Sequence, residues 1–119
     1  MSDERRPASG LPHMVVGRAL VRVRGASMEP TLHDGDLLLV RAQQAPEMGS
    51  LVVVRLPDRP GLSVKRVVGH DHTGWWVERD NPREGVDSWV VGAIEPANML
   101  AQVVARLWPP RRIGPPPRL

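Results

Sequence analysis

The chain has 119 residues, a formal net charge of +3 at pH 7 and no cysteine. This length predicts one domain, and the missing cysteine excludes disulfides, thiolate metal sites and a cysteine nucleophile. Thirteen prolines and eleven glycines favour short elements joined by turns over a helix bundle. With four tryptophans and no phenylalanine or tyrosine, the core must be built mainly from aliphatic side chains.

The N-terminal region combines a polar tail with a strand-like run. Residues 1–12 are charged and contain proline and glycine, so we predict a disordered tail. Alternating apolar residues predict a strand over residues 14–24, ended by Gly25. The run 11–23 is interrupted by Arg18 and Arg22 and is shorter than the roughly 18–20 apolar residues of a membrane-spanning helix. We therefore predict no transmembrane segment and a cytoplasmic location.

The rest of the chain repeats the pattern of short apolar runs between turns. Strands are predicted at 37–41, 50–56, 62–69, 75–79 and 88–91. The third and fourth of these form a predicted hairpin with a loop of about five residues, and residues 80–87 form a loop. Segment 98–107 fits a helix and a strand equally well. The sequence thus predicts an all-β domain of barrel or sandwich type over residues 13–110, followed by a Pro/Arg-rich tail at 111–119.

Charge and histidine placement give little sign of nucleic acid or metal. The arginine excess lies towards the two ends, and the middle of the chain mixes signs without a basic stripe, so we predict no nucleic-acid partner. His70, Asp71 and His72 could in principle hold a metal, but a polar turn before Thr73-Gly74 fits them better. We predict no metal and no cofactor.

Ser27 and Lys65 are the residues that suggest chemistry. Lys65 is the single lysine among 16 basic residues, and it lies in an apolar strand whose period places it on one face with Ser63 and Val67. A serine nucleophile needs a base, and a lysine with a pKa lowered by burial can serve where an arginine cannot. Each residue alone also has an ordinary interpretation: a turn serine that caps the next segment, and a lysine on a solvated face.

Three ordered segments resemble the type I signal peptidase superfamily: Ser27-Met28-Glu29-Pro30-Thr31-Leu32 with Gly35-Asp36, Lys65-Arg66, and Arg79-Asp80-Asn81 with Asp87-Ser88 and Gly92. Within that superfamily, Gly74-Trp75-Trp76-Val77 and Trp108-Pro109-Pro110 are similar to the nickel-type superoxide dismutase maturation proteases. The resemblance implies a signal-peptidase-like β-barrel. It also implies a cytosolic serine endopeptidase that removes an N-terminal extension, bound as an extended peptide, from a nickel superoxide dismutase precursor.

The resemblance also implies a role for each matching residue. Ser27 would be the nucleophile, its backbone N–H would stabilise the oxyanion, and Lys65 would be the general base. Met28 would line the substrate groove, and Asp87 and Ser88 would support the site.

Four positions depart from the family pattern: Gly25, Arg79, Gly85 and Trp89. Glycine at 85 stands where a serine often hydrogen-bonds the lysine amine, so we expect weaker positioning of Lys65. Three alternatives stay open: a signal peptidase acting at the membrane surface, a self-cleaving regulator domain, and a catalytically inactive β-domain.

Overall fold

Seven strands form one antiparallel sheet in the computed structural model, which describes residues 13–15, 17–42, 45–57, 59–110 and 114. The strands are β1 (His13–Val15), β2 (Arg18–Arg22), β3 (Leu37–Arg41), β4 (Leu51–Val54), β5 (Ser63–Asp71), β6 (Gly74–Glu78) and β7 (Met99–Trp108). One helical turn, α1 (Ser88–Val91), and a 3-10 turn at Pro96–Asn98 lie between β6 and β7. The mainly-β prediction is confirmed.

The last strand joins the two halves of the sheet. The order is β1-β2-β3-β7-β4-β5-β6, so β7 lies between β3 and β4. In the described residues the outer strands β1 and β6 do not pair with each other, and the sheet is therefore not closed into the expected barrel. The outer edge of β6 is instead occupied by Ile94, which exchanges backbone hydrogen bonds of 2.7 and 2.8 Å with Trp75.

Strand β4 divides the core into two clusters because its side chains alternate between the two faces of the sheet. Leu51 and Val53 belong to a first core, which also contains residues of β2, β3 and the segment after Ser27. Val52 and Val54 belong to a second core with residues of β5 and β6. Both faces of the sheet are therefore covered at its centre.

Two of the strands predicted from the sequence are wrong, and the local backbone geometry explains both differences. The single strand expected over 14–24 is a hairpin of β1 and β2, in which Gly17 adopts a φ of +79° that favours glycine. The strand expected at 88–91 is the helical turn α1. Asp87 caps it, since its side chain accepts a hydrogen bond from the backbone N–H of Trp89.

The β5–β6 hairpin is tighter than expected. Asp71 pairs with Gly74, so the connecting turn contains only His72 and Thr73. The ambiguous segment 98–107 is strand β7.

The predicted tails 1–12 and 111–119 lie outside the described residues, apart from Gly114. Gly114 exchanges backbone hydrogen bonds of 2.7 and 3.0 Å with Arg106 of β7. None of the helices in the described part of the chain has the length and apolarity to cross a membrane.

Candidate active site

Ser27 lies in a closed loop between β2 and β3. Val23 and Asp36 join the ends of this loop, because Val23 N–H donates to the Asp36 carbonyl at 2.8 Å. Inside it, Gly25 N–H donates to Asp34 Oδ1 at 2.7 Å. Leu32 N–H donates to the carbonyl of the residue after Ser27 at 2.9 Å, which forms one helical turn. The serine is thus held at the start of that turn, half-buried.

Strand β5 carries Lys65 to the same place. Lys65 pairs with Val52 of β4, shares the face of the second core and is 2% exposed. Its Nζ donates to Ser27 Oγ across 3.2 Å. The structure therefore brings together the two residues that the sequence analysis selected, although they are 38 positions apart.

The environment of Lys65 favours the uncharged amine. Burial lowers the pKa of Lys65, the carboxylate of Asp87 opposes this by raising it, and the guanidinium of Arg79 lowers it further. Within the described residues, no carboxylate oxygen lies within 4.0 Å of Lys65 Nζ. A buried amine without a paired carboxylate is less costly in its neutral form.

The loop of residues 80–87 covers the pair. Asn81 holds it against the serine, because its backbone N–H donates to the Ser27 carbonyl and its Nδ2 donates to the Ala26 carbonyl, both at 2.8 Å. Gly85 lies next to both reactive groups. A Cβ on Gly85 would lie 3.3 Å from Lys65 Nζ and 2.6 Å from Ser27 Cβ.

The backbone N–H of Ser27, the expected oxyanion donor, is available for that role. No group in the described part of the chain accepts a hydrogen bond from it. An oxyanion donor must be unoccupied until charge develops on the substrate.

Asp87 and Ser88, the two expected supporting residues, connect the loop to the sheet. Asp87 is 7% exposed and caps α1. Ser88 is 1% exposed, and its Oγ accepts a hydrogen bond from Val77 N–H of β6 at 2.9 Å. Ser88 therefore anchors α1, and Asp87 brings a negative charge near Lys65.

Met28 has two environments. It is 2% exposed and packs in the first core, and its Sδ accepts a hydrogen bond from Asp80 N–H at 3.3 Å. It also lines a cleft of about 770 Å³ that opens beside Ser27. The contact of Met28 with substrate stays a prediction.

The cleft has room for an extended peptide. Residues 20–24 line one side and residues 60–64 the other, with Ser27, Met28 and Leu37. Pairing of β5 with β6 begins only at Arg66, so the outer edge of Ser63 and Val64 carries no strand partner among the described residues. A substrate strand could pair with such an edge.

A buried ion pair, which the sequence analysis did not predict, fixes the start of the covering loop. Arg66 is 1% exposed and holds Asp80 with two hydrogen bonds, Nε to Oδ1 at 3.0 Å and Nη2 to Oδ2 at 2.7 Å. Thr31 Oγ1 also donates to Asp80 Oδ2 at 2.5 Å. Burial opposes ionisation of Asp80, but the hydrogen bonds from Arg66 and Thr31 hold its pKa below the ordinary value. The only sequence signal for this pair is that Arg66 and Asp80 both lie in segments that resemble the family motifs.

The His70-Asp71-His72 segment is the end of strand β5 followed by the first residue of the two-residue turn. His70 stacks on Trp75 with ring centroids 4.0 Å apart, and Asp71 accepts hydrogen bonds from Thr73 and Trp76. In the part of the chain that the structure describes, no group of three His, Cys, Asp or Glu residues is arranged to hold a metal ion.

Comparison with known proteins gives two matches. Residues 14–104 match the Peptidase S24-like family. Mitochondrial inner membrane protease subunit 1 of Xenopus tropicalis is 29% identical over an alignment of 116 residues, which covers 76% of this chain and 70% of that protein.

Proposed function

The chain belongs to the Peptidase S24-like family, and from this premise we propose that it is a serine endopeptidase with Ser27 as nucleophile and Lys65 as general base. The relative from Xenopus tropicalis is by its name a protease subunit, which agrees with a peptidase activity. The assignment of the two catalytic residues is our own.

One observation carries the proposal: a lysine that is 2% exposed places its Nζ 3.2 Å from a serine Oγ. Lysine is rarely buried without a carboxylate partner, because desolvation of the ammonium group is costly. A structural lysine would gain more from an ion pair. An amine whose pKa is lowered and which contacts a hydroxyl is suited to remove its proton.

The reaction follows from this contact. Neutral Lys65 accepts the hydroxyl proton as Ser27 Oγ attacks the carbonyl carbon of the scissile peptide. The backbone N–H of Ser27 stabilises the oxyanion, a contribution of about 3 kcal/mol for donors of this kind. The Lys65 ammonium then gives its proton to the leaving amine, which leaves an acyl-serine ester. Water attacks the ester with Lys65 again acting as base, and the free serine returns.

The finer proposal concerns the substrate. The enzyme removes an N-terminal extension from a protein precursor that lies in the cleft as an extended strand. The precursor of a nickel superoxide dismutase is the candidate, in the cytoplasm, and its support is the sequence resemblance described above. Cleavage of that precursor by purified protein, with the new N-terminus read by mass spectrometry, tests this choice separately from peptidase activity.

Substitution of the pair tests the mechanism. We expect Ser27→Ala and Lys65→Arg each to lower cleavage by about 10⁴-fold or more, the scale of loss for such residues in serine proteases. Ser50→Ala is the matched control, since its buried hydroxyl donates to the Glu47 carbonyl instead. Circular dichroism must show an intact fold in all three variants. Full activity in Lys65→Arg would exclude Lys65 as the base, and full activity in Ser27→Ala would exclude serine catalysis here.

A second candidate is processing at a membrane surface, as in signal peptidases. The relative's name places that protein at a membrane. On this chain, Trp89 is 69% and Val90 64% exposed, and the Trp76 and Trp89 rings lie 5.1 Å apart. Exposed tryptophans are frequent at membrane interfaces. Sedimentation with lipid vesicles tests this candidate: binding lost in Trp89→Ala/Val90→Ala supports it, and no binding by the unchanged protein rejects it.

A further inference from the structure

Arg79 immediately precedes the covering loop of residues 80–87, and its side chain contacts that loop at both ends. Its Nε donates to the Asn81 carbonyl at 3.0 Å and its Nη2 to the Pro82 carbonyl at 3.1 Å. Its Nη1 lies 3.5 Å from Asp87 Oδ2 in an ion pair. The side chains of Arg79 and Asp87 are only 23% and 10% exposed, so solvent screens this pair less than a surface pair.

The segment that Arg79 spans touches the reactive pair. Asn81 is hydrogen-bonded to the Ser27 carbonyl, and Gly85 lies against Lys65 Nζ. A side chain that binds the loop at 81, 82 and 87 therefore restrains the part that covers the dyad.

Asp87 brings a charge close to the dyad. One carboxylate oxygen accepts the Trp89 N–H and is committed to the cap of α1. The other oxygen faces Arg79. Without a cation beside it, this carboxylate would attract a proton to Lys65 and so favour the ammonium form, which cannot act as a base.

We propose that Arg79 is a positioning residue for the reaction at Ser27, in that it neutralises the Asp87 carboxylate beside Lys65 and restrains the loop over the dyad. The catalytic consequence of this inference rests on the proposed function. The effect of Arg79 and Asp87 on the charge of Lys65 does not depend on it. The charged groups that act on Lys65 are Asp87, which raises its pKa, and Arg79, which lowers it. The nearby cation Arg66 is bound to Asp80.

The single lysine makes a direct test possible. In protein labelled with ¹³C-lysine, the Cε resonance reports the pKa of Lys65 without assignment ambiguity. We expect Arg79→Gln to raise this pKa, because Asp87 then acts without compensation. Asp87→Asn should lower it, and Arg79→Gln/Asp87→Asn should lower it less than Asp87→Asn alone, because Asp87 acts on Lys65 more strongly than Arg79 does. Arg79→Lys keeps the cation and should shift it least; this variant has a second lysine, whose Cε resonance is identified from the spectrum of Arg79→Lys/Lys65→Met.

The pH profile of kcat/KM gives the second readout. In Arg79→Gln, the limb that rises with pH should move to higher pH, and cleavage at pH 7 should fall about tenfold for each unit that the Lys65 pKa rises. Activity should recover at alkaline pH. A purely structural role for Arg79 would lower the rate at every pH without moving this limb.

Arg83→Gln is the matched control, since Arg83 is an exposed arginine of the same loop. It should change neither readout. An unchanged Lys65 pKa in both Arg79→Gln and Asp87→Asn would overturn the proposal. If Arg79→Gln does not fold, the other two variants test the proposal. The Lys65 pKa should then be lowered in Asp87→Asn and unchanged in Arg79→Lys. If the Lys65 pKa shifts as expected but the protein has no peptidase activity, the proposed function is rejected and the electrostatic inference stands.

Discussion

Gly85 and Ser27 approach so closely that no side chain fits between them. A Cβ on Gly85 would lie 2.6 Å from Ser27 Cβ, and the glycine has a φ of +86°. From the sequence, this glycine implied a missing partner for Lys65. The geometry gives a different reason for glycine here, because any larger residue must displace either Ser27 or the loop that covers it.

Gly85→Ala is therefore expected to reduce cleavage by about a hundredfold, the effect of moving a reactive group by about 1 Å. The φ adds a stability cost of about 1–2 kcal/mol. Gly35→Ala separates the two effects, because Gly35 has a φ of +91° and nothing within 4 Å of its added Cβ. The control should lose stability but keep its cleavage rate in a peptide assay. Equal loss of activity in both variants would contradict the close-approach explanation.

Lys65→Met should stabilise the protein while it abolishes cleavage. Because burial lowers the folded-state pKa of Lys65, the folded protein loses this proton at a lower pH than the unfolded chain. The unfolded chain then binds more protons between the two pKa values, so the stability of the unchanged protein rises with pH there. At pH 7 we expect a gain of roughly 0.5–2 kcal/mol in the free energy of unfolding.

Urea unfolding from pH 7 to pH 10 measures this gain. The difference between Lys65→Met and the unchanged protein should shrink as pH rises towards the pKa of the unfolded lysine. A variant that is less stable at every pH would show that the amine contributes to stability, not only to reactivity.

Asp80→Asn should destabilise the fold and change its response to acid. Removing one partner of the buried pair with Arg66 costs about 3 kcal/mol, the low end of the usual range, because the Asp80 side chain is 14% exposed. The folded-state pKa of Asp80 is lowered, so its contribution is present above the unfolded pKa and is lost as pH falls through the folded pKa.

Thermal unfolding at a series of pH values tests this prediction. The gap between Asp80→Asn and the unchanged protein should be widest at neutral pH and should narrow in acid. Asp34→Asn is a suitable comparison, since Asp34 accepts a hydrogen bond from Gly25 on the exposed side of the serine loop. A gap that does not change with pH would mean that the Arg66 pair is not the source of the effect.

Asn81→Ala should affect activity more than stability. It removes the Nδ2 hydrogen bond to the Ala26 carbonyl and the hydrogen bond that Oδ1 accepts from the Arg83 backbone N–H, but leaves the backbone bond to Ser27. One such hydrogen bond contributes about 1 kcal/mol to stability. Since the same bond positions the residue before the nucleophile, we expect kcat to fall about tenfold with a smaller change in KM. Asn98→Ala, on the 3-10 turn, serves as the control and should keep its kcat.

The pair of Ser27 and Lys65 was accessible from sequence because each residue was unusual in its own strand or turn. Lys65 interrupts an apolar strand in a chain that otherwise uses arginine, and Ser27 follows the end of a strand pattern. Strand β3 was predicted with its observed bounds, since its apolar run ends in charged residues. Signals of this kind are local and need no knowledge of the fold.

The contacts that surround the pair were not accessible in the same way. The ion pair of Arg79 with Asp87 and the approach of Gly85 to Ser27 depend on how the covering loop lies on the sheet. The helical turn α1 was missed because the β-branched residues at 90 and 91 favoured a strand, whereas the Asp87 cap decides its conformation. The open sheet was not predictable for the same reason. It involves Ile94, a residue outside the strands, which pairs with the outer edge of β6 at Trp75.

The position of β7 has a consequence for synthesis of the chain. Ser27 follows β2, Lys65 lies on β5, and the sheet joins these two halves through Met99–Trp108. A ribosome-bound chain that has not yet released this segment contains both reactive residues but lacks the strand that sets one half against the other. We therefore expect no cleavage by a chain in which β7 has not yet been synthesised and paired with β3 and β4.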